Sequence, residues 1–369
     1  MKKFLLYACV ALLSCIAFAQ TNMVVVVLKD GTEVKYLATD IDSIRINKNE
    51  GYDAVVVFKD GTEEKYAAKD IDSIKIEKDA PVPAEETGLR FKYDDATMTA
   101  SVTYHESLNF EKRNYESAEI TIPSQVLYDG KVYDVTTIGS DAFESCENLT
   151  SIEIPNSVTE IGSFAFSGCG NLTSIEIPNS VTSIGEGAFY GCTSLTSIVV
   201  DKDNKVYDSR ENCNAIIETA SKTLIRGCHN TVIPNSVTKI GKSAFYGCTS
   251  LASVVIPNSV TTIENYAFAW CENLASIEIP NSVTEIGSAA FYGCTSLTSI
   301  EIPNSVTEIG SAAFEGCSSL TSIVIPNSVT EIGWYAFLSC SKLKTARVPV
   351  SLKGKVEDIF PSTCEIEWY

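Results

Sequence analysis

The sequence predicts a mainly β fold, in which a solenoid of 23-residue units with short helical turns follows a small β repeat domain. Three observations predict it. The hexapeptide Ile-Pro-Asn-Ser-Val-Thr occurs seven times, first at Ile154 and last at Ile325. Eight cysteines recur in step with it, and a different sequence nearer the N-terminus repeats at an offset of 30 residues. The eight are Cys146, Cys169, Cys192, Cys248, Cys271, Cys294, Cys317 and Cys340. A period of this length is typical of solenoids, whose units bury their apolar faces by stacking on their neighbours.

Residues 1–19 have the three-part order of a secretory signal peptide. Lys2 and Lys3 precede an apolar run too short to span a bilayer, and Ala17-Phe18-Ala19 supplies a small-x-small cleavage site. We therefore expect cleavage after Ala19 and a secreted or cell-surface protein. One alternative stays open. Leu12-Leu13-Ser14-Cys15 loosely resembles a lipoprotein box, in which an acylated Cys15 would anchor the chain to a membrane.

Residues 20–79 contain two tandem copies of a 30-residue β repeat. A Lys-Asp-Gly-Thr tetrapeptide, first at Lys29, and an Asp-Ile-Asp-Ser-Ile pentapeptide, first at Asp40, both recur at that offset. Each copy has a β-branched run, an Asp-Gly turn and two further strand-like segments, which predicts a hairpin plus a third strand. We expect the two copies to share one small sheet, and the proline-containing acidic stretch 80–88 to be a linker.

The 23-residue unit begins with a strand, as the copy at Leu297 illustrates. Leu297, Ile300 and Ile302 have the L-x-x-L-x-L spacing of one turn of a leucine-rich repeat. In an extended segment Ile300 and Ile302 lie on one face, so Ser299 and Glu301 are expected to point outward.

The remainder of the unit predicts a second wall and a turn. Val306 and Ile309 predict a short strand on the opposite wall, and Ala313-Phe314 predict a brief buried helical turn. The asparagine of each Pro-Asn-Ser is expected to connect adjacent units by stacked hydrogen bonds.

The ends of a solenoid need polar caps. Residues 89–135 carry strand-like sequence and the hairpin signal Tyr128-Asp-Gly-Lys131, which predicts an N-terminal cap. Residues 346–369 are expected to form a C-terminal cap.

Residues 136–345 closely resemble the BspA-like leucine-rich repeat family of bacterial surface proteins. The resemblance rests on the pattern I-P-N-S-V-T-x-I-G-x-x-A-F-x-G-C. It implies a leucine-rich repeat solenoid that is secreted or surface-exposed, with adhesion to host matrix proteins or other bacteria among the family's activities. The insert at 201–231 looks like a recurrent family variant, with two short strands around a turn.

The period of the eight cysteines favours a buried thiol ladder over bonded pairs. Equivalent residues in stacked units point the same way, and a buried cysteine behaves as a small apolar residue. Cys213 and Cys228, which flank the two strands of the insert, are the best disulfide candidates in an exported protein. Zinc is disfavoured because the sequence has no C-x-x-C pair and only 2 histidines.

Charge and motif content exclude several classes of function. The chain has 28 Lys+Arg against 47 Asp+Glu, a net charge of −19. Nucleic acids and anionic membranes both need a basic face, so we expect neither as a partner. Without a G-x-S-x-G or H-E-x-x-H motif, we expect no catalysis, no metal and no cofactor.

The outward strand residues form a candidate ligand-binding face, which is small and patchily acidic. It comprises Ser151, Glu153, Ser174, Glu176, Ser197, Val199, Ser253, Val255, Ser276, Glu278, Ser299, Glu301, Ser322 and Val324. Exposed aromatics are expected instead beside the phenylalanine turns, where they cover the lateral wall or act as interface hot spots. They are Tyr190, Tyr246, Tyr266, Tyr292, Trp334 and Tyr335.

The sequence therefore favours a non-enzymatic, exported recognition or adhesion protein whose partner is an extracellular protein, of the host matrix or of a bacterial surface. Two alternatives remain. One is a structural component of the envelope without a specific ligand, and the other is a glycan-binding module.

Overall fold

The computed structural model of the chain describes residues 23–28, 33–37, 41–47, 53–58, 63–66, 71–77, 81–104, 115–356 and 358–369. They belong to two units. The first comprises Met1–Gly88, Tyr93–Ala100 and Pro123–Val135, and the second Leu89–Lys92, Ser101–Ile122 and Thr136–Tyr369. The predicted signal peptide lies outside the described residues. Within them, no helix has both the length and the apolar character of a membrane span.

The tandem repeats of the first unit contribute three strands each. The strands are β1 Met23–Leu28, β2 Glu33–Leu37, β3 Ile41–Asn47, β4 Asp53–Phe58, β5 Glu63–Tyr66 and β6 Ile71–Glu77. They form two antiparallel sheets, β2-β1-β6 and β3-β4-β5, so the prediction of one shared sheet is wrong. The strands β3, β4 and β5 follow one another in the sequence and pair in that order as a meander. The last strand is left to pair with the first. Val26 and Val56, equivalent in the two copies, are fully buried.

The segment predicted as a linker is packed where the structure describes it. β7, Val82–Pro83, pairs in parallel with β11, Gln125–Tyr128, and a 3₁₀ helix follows at Ala84–Glu86 with Ala84 buried. A proline has no N–H to donate, so it suits an edge strand of two residues. The linker prediction thus fails for residues 82–86.

The hairpin signal in the predicted N-terminal cap forms a hairpin. β11 pairs with the antiparallel strand β12, Lys131–Ile138. Asp129 and Gly130 both have positive φ, 48° and 72°, as a two-residue type I′ turn requires. The cap prediction also placed β8, Arg90–Asp94, and β9, Thr99–Thr103, in one element, but the boundary between the two units passes through residues 89–135.

Each solenoid rung of the second unit contributes to two parallel ladders. The first ladder contains β10 Glu119–Thr121, β13 Ser151–Glu153, β15 Ser174–Ile177, β17 Ser197–Val200, β25 Ser322–Val324, β27 Thr345–Val348 and β28 Glu365–Trp368. Single bridges join Val255 to Glu278 and Ser276 to Ser299 in the rungs between. As predicted, the isoleucines of this segment are buried and the residues between them point outward.

The second ladder lies at the Thr-Glu-Ile segment of each unit. It contains β14 Glu160–Ile161, β16 Ser183–Ile184, β21 Lys239–Ile240, β22 Thr262–Ile263, β23 Glu285–Ile286, β24 Glu308–Ile309 and β26 Glu331–Ile332. The insert adds β18 Tyr207–Asp208, β19 Ala215–Glu218 and β20 Thr223–Gly227, of which β19 and β20 form the predicted hairpin. The sheet β18-β19-β20-β21-β22-β23-β24-β26 has eight strands, so this ladder is the more continuous one.

Hydroxyl side chains reinforce the stacking of rungs. Thr307 donates both its N–H and its Oγ1 hydroxyl to the carbonyl of Thr284, at 3.0 and 3.3 Å. Ser305 Oγ donates to the carbonyl of Val283 at 2.6 Å. The prediction gave this role to the asparagine of Pro-Asn-Ser, but Asn304 is exposed. The hydroxyl of the following serine is the group that reaches the neighbouring rung.

The segment around Ala313-Phe314 is a series of turns and contains no helix. Ala312 has a φ of 56°, and Gly316 one of 74°, so two left-handed residues interrupt any helical run. The Phe291 N–H donates instead to the carbonyl of Ala313 in the next rung, at 2.7 Å. The predicted helical turn is therefore wrong, because the backbone groups here bond between rungs.

Stacked phenylalanines and cysteines fill the core. Neighbouring rings are 5.0 to 5.4 Å apart between centroids and 4 to 8° from parallel. Those rings are Phe143, Phe166 and Phe189, then Phe245, Phe268, Phe291, Phe314, Phe337 and Phe360. Tyr115, tilted against Phe143 at 5.2 Å, ends the first stack. Burial raises the pKa of Tyr115 to about 12.

The ladder cysteines are free, buried and hydrogen-bonded, which matches the predicted thiol ladder. Cys317 Sγ donates to the carbonyl of Phe291, in the preceding rung, at 3.2 Å. That carbonyl also accepts the N–H of Cys294 at 3.2 Å. Each thiol thus fills a small apolar site and uses a second lone pair of an already bonded carbonyl.

The disulfide predicted between Cys213 and Cys228 is not present, and both thiols are free. Cys213 Sγ donates to the carbonyl of Ala215 at 3.8 Å, and Cys228 Sγ to that of Asn214 at 3.6 Å. The two thiols therefore donate to two successive carbonyls, at the first residue of β19 and at the residue before it.

The predicted C-terminal cap is a further rung of the solenoid. β28 continues the first ladder from β27, with Ala346 beside Ile366. Phe360 stacks on Phe337 at 5.1 Å, and a 3₁₀ helix spans Val350–Leu352. The 23-residue step from Phe337 to Phe360 was the sequence signal for this rung, but the sequence around it is too degenerate to match the repeat.

Gly310→Ala is expected to lower the free energy of unfolding by about 1–3 kcal/mol. A Cβ at this glycine would lie 2.4 Å from the backbone nitrogen of Ser288 in the preceding rung. Urea unfolding followed by circular dichroism measures the loss. Ser311→Ala, at the next and exposed position, is the matched control, and equal stabilities of the two variants would contradict the close approach.

The thiol ladder predicts a loss of stability in alkali. Burial raises the pKa of Cys340 to about 12, from an ordinary value of 9.0. Because the raised pKa favours the protonated folded state, the stability it contributes is complete below pH 9 and falls as the pH rises toward 12. The loss is at most about 1.4 kcal/mol per pH unit for each such thiol.

Cys340→Ala removes one of these ionisations, so its free energy of unfolding should fall less steeply than the wild type between about pH 9 and pH 11. Ser341→Ala, an exposed neighbour, should keep the wild-type slope. Identical slopes in all three proteins would show that Cys340 is not protected from ionisation.

Thiol counting tests the cysteine assignment directly. The chain from residue 20 onward should show eleven free thiols when it is unfolded without a reductant, because all eleven cysteines of the described residues are free. A count of nine would establish the 213–228 bridge instead.

Candidate binding surfaces

The outward strand residues predicted from the sequence lie in one row on the second unit, called the strand face below. The parallel register sets Ser174 beside Ser197 and Glu176 beside Val199. The fourteen predicted residues are exposed or half-buried, and Val255 is 82% exposed. The structure therefore brings these residues together, whereas what they bind stays a prediction.

The strand face is longer than the sequence indicates. Thr121 lies beside Glu153 at one end, and Arg347 lies beside Val324 and Glu367 at the other. The Arg347 Nε is 3.8 Å from the Glu367 carboxylate. These positions escaped the sequence analysis because Thr-Ala-Arg-Val and Glu-Ile-Glu-Trp replace the usual isoleucine pattern.

The insert interrupts the strand face. Asn214 Oδ1 accepts the N–H of Ile198 at 3.2 Å, and Ser209 Oγ accepts that of Val200 at 3.0 Å, so polar side chains occupy donors of β17. Val232 takes the outward position of the unit that follows the insert and is 72% exposed. Uncharged side chains therefore dominate the face near the insert.

A second surface runs along the turns and is called the turn edge below. It is the exposed part of the segment between the second ladder and the cysteine of each rung. Its most exposed aromatic is Trp334, at 66%. The other exposed rings are Phe164, Tyr266, Trp270 and Tyr335, and the half-buried ones are Tyr190, Tyr246 and Tyr292.

Phe164 and Trp270 were not predicted. Both have a left-handed backbone, with φ of 55° and 61°. Other units have glycine or another small residue at one or both of these places. The sequence signal that could have found them is that the residue type varies between units at these aligned positions. The fold requires a left-handed backbone there but places no constraint on the side chain.

The half-buried rings of the turn edge pack against one another. Tyr190 stacks on Tyr246 at 4.6 Å between centroids and meets Phe164 edge-on at 5.8 Å. Trp270 meets Tyr292 edge-on at 5.2 Å. Burial raises the pKa of Tyr190 above its ordinary value, so this phenol keeps its proton at neutral pH. These rings therefore cover the lateral wall of the solenoid, which is one of the two roles predicted for them.

Trp334, the most exposed ring of the turn edge, borders an open space. With Ile332, Leu352, Lys355 and Ile359 it lines a cavity of about 400 Å³ at the last rungs. Trp334 and Tyr335 are 6.5 Å apart between ring centroids, so two large exposed rings lie together beside this cavity. A recess with an exposed indole, and with both apolar and polar side chains in its wall, is suited to an inserted side chain.

The side chains of the two surfaces also bear on whether they could hold a metal ion. Throughout the described ranges, no cluster of three or more His, Cys, Asp or Glu side chains has the geometry to hold a metal ion. The exposed groups are carboxylates, hydroxyls, valines and aromatic rings, with the cations Lys242, Arg347 and Lys355 among them.

Comparison with known proteins identifies the repeat. The family profile described as "BspA type Leucine rich repeat region (6 copies)" matches residues 109–224, 225–344 and 261–367. No curated protein matches the chain.

Several solved structures are similar to the chain. One is a leucine rich cell surface protein from Faecalibacterium prausnitzii A2-165, with 24% identity over 78% of this chain and 95% of that chain and a TM-score of 0.43. A leucine-rich repeat protein from Bacteroides ovatus ATCC 8483 has 25% identity over 76% and 98%, with a TM-score of 0.38. The pneumococcal vaccine antigen PcpA has 17% identity over 76% and 96%, with a TM-score of 0.49.

The profile covers most of the chain, including the C-terminal rung that the sequence analysis took for a cap. The repeat pattern, the buried Phe and Cys positions and the parallel ladders agree with it. The chain belongs to the BspA-type leucine-rich repeat family.

Proposed function

We propose that this chain is an exported, surface-located recognition protein that binds another protein through the turn edge of its solenoid. The observation that carries the proposal is the exposure of the paired rings Trp334 and Tyr335, 66% and 47%, beside a cavity of about 400 Å³. Large aromatic side chains are costly to leave in water, and Trp and Tyr dominate the hot spots of protein interfaces.

The exported location is supported by the leader-like sequence of residues 1–19 and by the cell-surface description of one similar structure. An extracellular protein, of the host matrix or of another bacterium, is the partner class that fits this location. The net charge of −19 favours partners with basic patches, because opposite charges accelerate encounter.

The strand face is the second candidate surface. Its residues are short and carry single charges, as at Glu278 and Glu301, and its apolar members are valines. Such a surface offers little area to any single anchor, so it suits the rim of an interface better than its centre.

Two other functions remain as alternatives. Exposed Trp and Tyr rings also stack on sugars, so a glycan is the ligand to exclude first. A structural envelope component would use the solenoid as a spacer and would need no aromatic recess. Binding to immobilised matrix proteins, whole bacteria and a glycan array separates the three.

We expect the double variant Trp334→Ser/Tyr335→Ser to weaken binding to the protein partner at least about tenfold, or about 1.4 kcal/mol, because it removes the exposed anchor rings. Surface plasmon resonance with the chain from residue 20 onward measures the change. The variants should be folded, since both rings are exposed and the buried Ala336-Phe337 pair is kept.

The matched control is Glu278→Gln/Glu301→Gln on the strand face, which should change affinity by less than about threefold. The opposite ranking would move the site to the strand face. A ligand that is a glycan, or the lack of any saturable ligand together with an envelope defect on deletion, would favour one of the two alternatives.

A further inference from the structure

The strand β28 forms an open edge of the first ladder. Among the described residues it pairs with β27 alone. The N–H groups of Glu365 and Tyr369 donate to carbonyls of the preceding rung, at 2.8 and 3.2 Å. In a parallel pair alternate residues bond to the same neighbour, so the backbone groups of Ile366 and Trp368 point away from β27. Two N–H groups and two carbonyls are therefore available to a further strand.

The apolar face of this last rung is incompletely covered as well. Ile366 and Trp368 are half-buried, whereas Ala346 and Val348, beside them in β27, are fully buried. Phe360, the last ring of its stack, is also half-buried. The outer face of a terminal repeat is normally polar, because an apolar one promotes association.

The opposite end of the same ladder is sealed. β10 is also an outermost strand, since among the described residues it pairs with β13 alone. Ile120 and Ile122 are nevertheless buried at that end, and Tyr115, which ends the phenylalanine stack, is 5% exposed. Exposed apolar side chains are therefore not a necessary property of a terminal rung, and β28 is the end that a partner can cover.

The outward side chains of β28 indicate the charge of a strand that fits beside it. Glu365 and Glu367 are both exposed. Arg347 lies beside Glu367 in β27, at 3.8 Å from its carboxylate, whereas the residue beside Glu365 is the uncharged Thr345. Opposite charges on paired strands are stabilising and like charges are destabilising. A strand added at the open edge is therefore favoured when its outward side chains are basic.

A second copy of β28 fits this edge poorly. Two β28 strands paired about a two-fold axis would run antiparallel, with the same residues contributed by each copy. Glu365 and Glu367 of one copy would then lie against Glu367 and Glu365 of the other. Four carboxylates would meet on one face of the pair, which their repulsion disfavours.

We propose that β28 binds an extended segment of another protein as a further strand, with basic side chains outward and apolar side chains inward. Backbone bonds to Ile366 and Trp368 supply the affinity, and the two glutamates and the half-buried apolar residues select the side chains. This edge is separate from the turn edge. The inference therefore goes beyond the proposed function and does not depend on it.

The test titrates the chain from residue 20 onward into the fluorescein-labelled peptide Thr-Lys-Val-Arg-Val-Thr, and fluorescence anisotropy measures binding. Saturable binding is expected. Hydrogen exchange followed by NMR should show slower exchange of the Ile366 and Trp368 amides in the complex, because both become hydrogen-bonded. The peptide Thr-Glu-Val-Glu-Val-Thr, of opposite charge, should bind at least about threefold more weakly.

A charge reversal tests the selection of side chains. Glu365→Lys should weaken binding of the basic peptide at least about threefold and strengthen binding of the acidic one. The substituted side chain is exposed, so the variant should fold. Glu308→Lys is the matched control, because Glu308 is an exposed glutamate in β24, which is paired on both sides. It should leave both affinities unchanged.

N-methylation of the basic peptide tests the backbone pairing. Alternate N–H groups of an extended segment face the same edge, so methylating one alternate set blocks the bonds to β28 and methylating the other set leaves them intact. One isomer should therefore bind at least about tenfold more weakly than the other.

Three results would overturn the proposal. One is the lack of saturable binding of the basic peptide, or binding without slower exchange at Ile366 and Trp368. Another is equal affinity of the two N-methylated isomers, which would exclude strand addition. The third is a dimer in analytical ultracentrifugation whose Ile366 and Trp368 amides are protected without any peptide, because the edge would then belong to a second copy.

Discussion

The hydrogen bonding of each rung depends on the identical groups of its neighbours, and this constraint governs the rest of the structure. The carbonyl of Phe291 accepts the N–H of Cys294 and the thiol of Cys317, while the N–H of Phe291 donates to the next rung. Buried backbone groups must be paired, so a unit of different length would leave several of them without partners. The 23-residue period follows from this requirement as much as from apolar burial. It also accounts for the cysteines, because no other small apolar residue supplies a weak donor to an already bonded carbonyl.

The insert shows how the chain departs from the period without breaking the ladders. β20 joins the second ladder through Leu224 beside Ile240, so the eight-stranded sheet continues across the insert. The regular contacts are lost instead in the first ladder and in the phenylalanine stack. Asn214 and Ser209 must occupy the free donors of β17, and the phenylalanine stack is interrupted at Gly227. A polar side chain, that of Arg226, enters the core at this interruption, where Gly227 takes the position of the phenylalanine and the Phe245 ring lies against it. The irregular rung is therefore the place where a charged group enters an otherwise apolar core.

Much of this fold follows from the sequence, and the failures have identifiable causes. The alternation in Ser-Ile-Glu-Ile predicts the buried isoleucines and the strand face. Successive side chains of an extended chain point to opposite faces, so burying the isoleucines exposes the residues between them. The turn at Ala312 could not be predicted, because alanine rarely takes a positive φ and only bonding between rungs imposes it. The exchange of β3 and β6 between the tandem repeats is equally hidden, since two copies of such similar sequence do not show which copy a strand will pair with. For the candidate sites, the exposed Trp334 was predicted from its place beside a turn. The burial of Arg226 was not, because arginine is a surface residue by default and only the shortened rung encloses it.

These constraints divide the unit into fixed and free positions, and the division limits where specificity can reside. The Ile, Val, Phe, Cys and second-ladder Thr positions are held by packing or by bonds to two neighbours, so a change there costs stability in three rungs at once. The outward strand positions and the turn edge make no such bonds, and they are the places where this chain varies between Glu and Val or between Ala, Tyr and Trp. A recognition surface on such a solenoid must be composed from those positions. Within that set, Trp334 and Tyr335 are large rings that no neighbouring rung covers, although the same positions in the preceding rung, Ser311 and Ala312, show that the fold does not need them. A costly exposure that the architecture does not require is best explained by a partner that covers it.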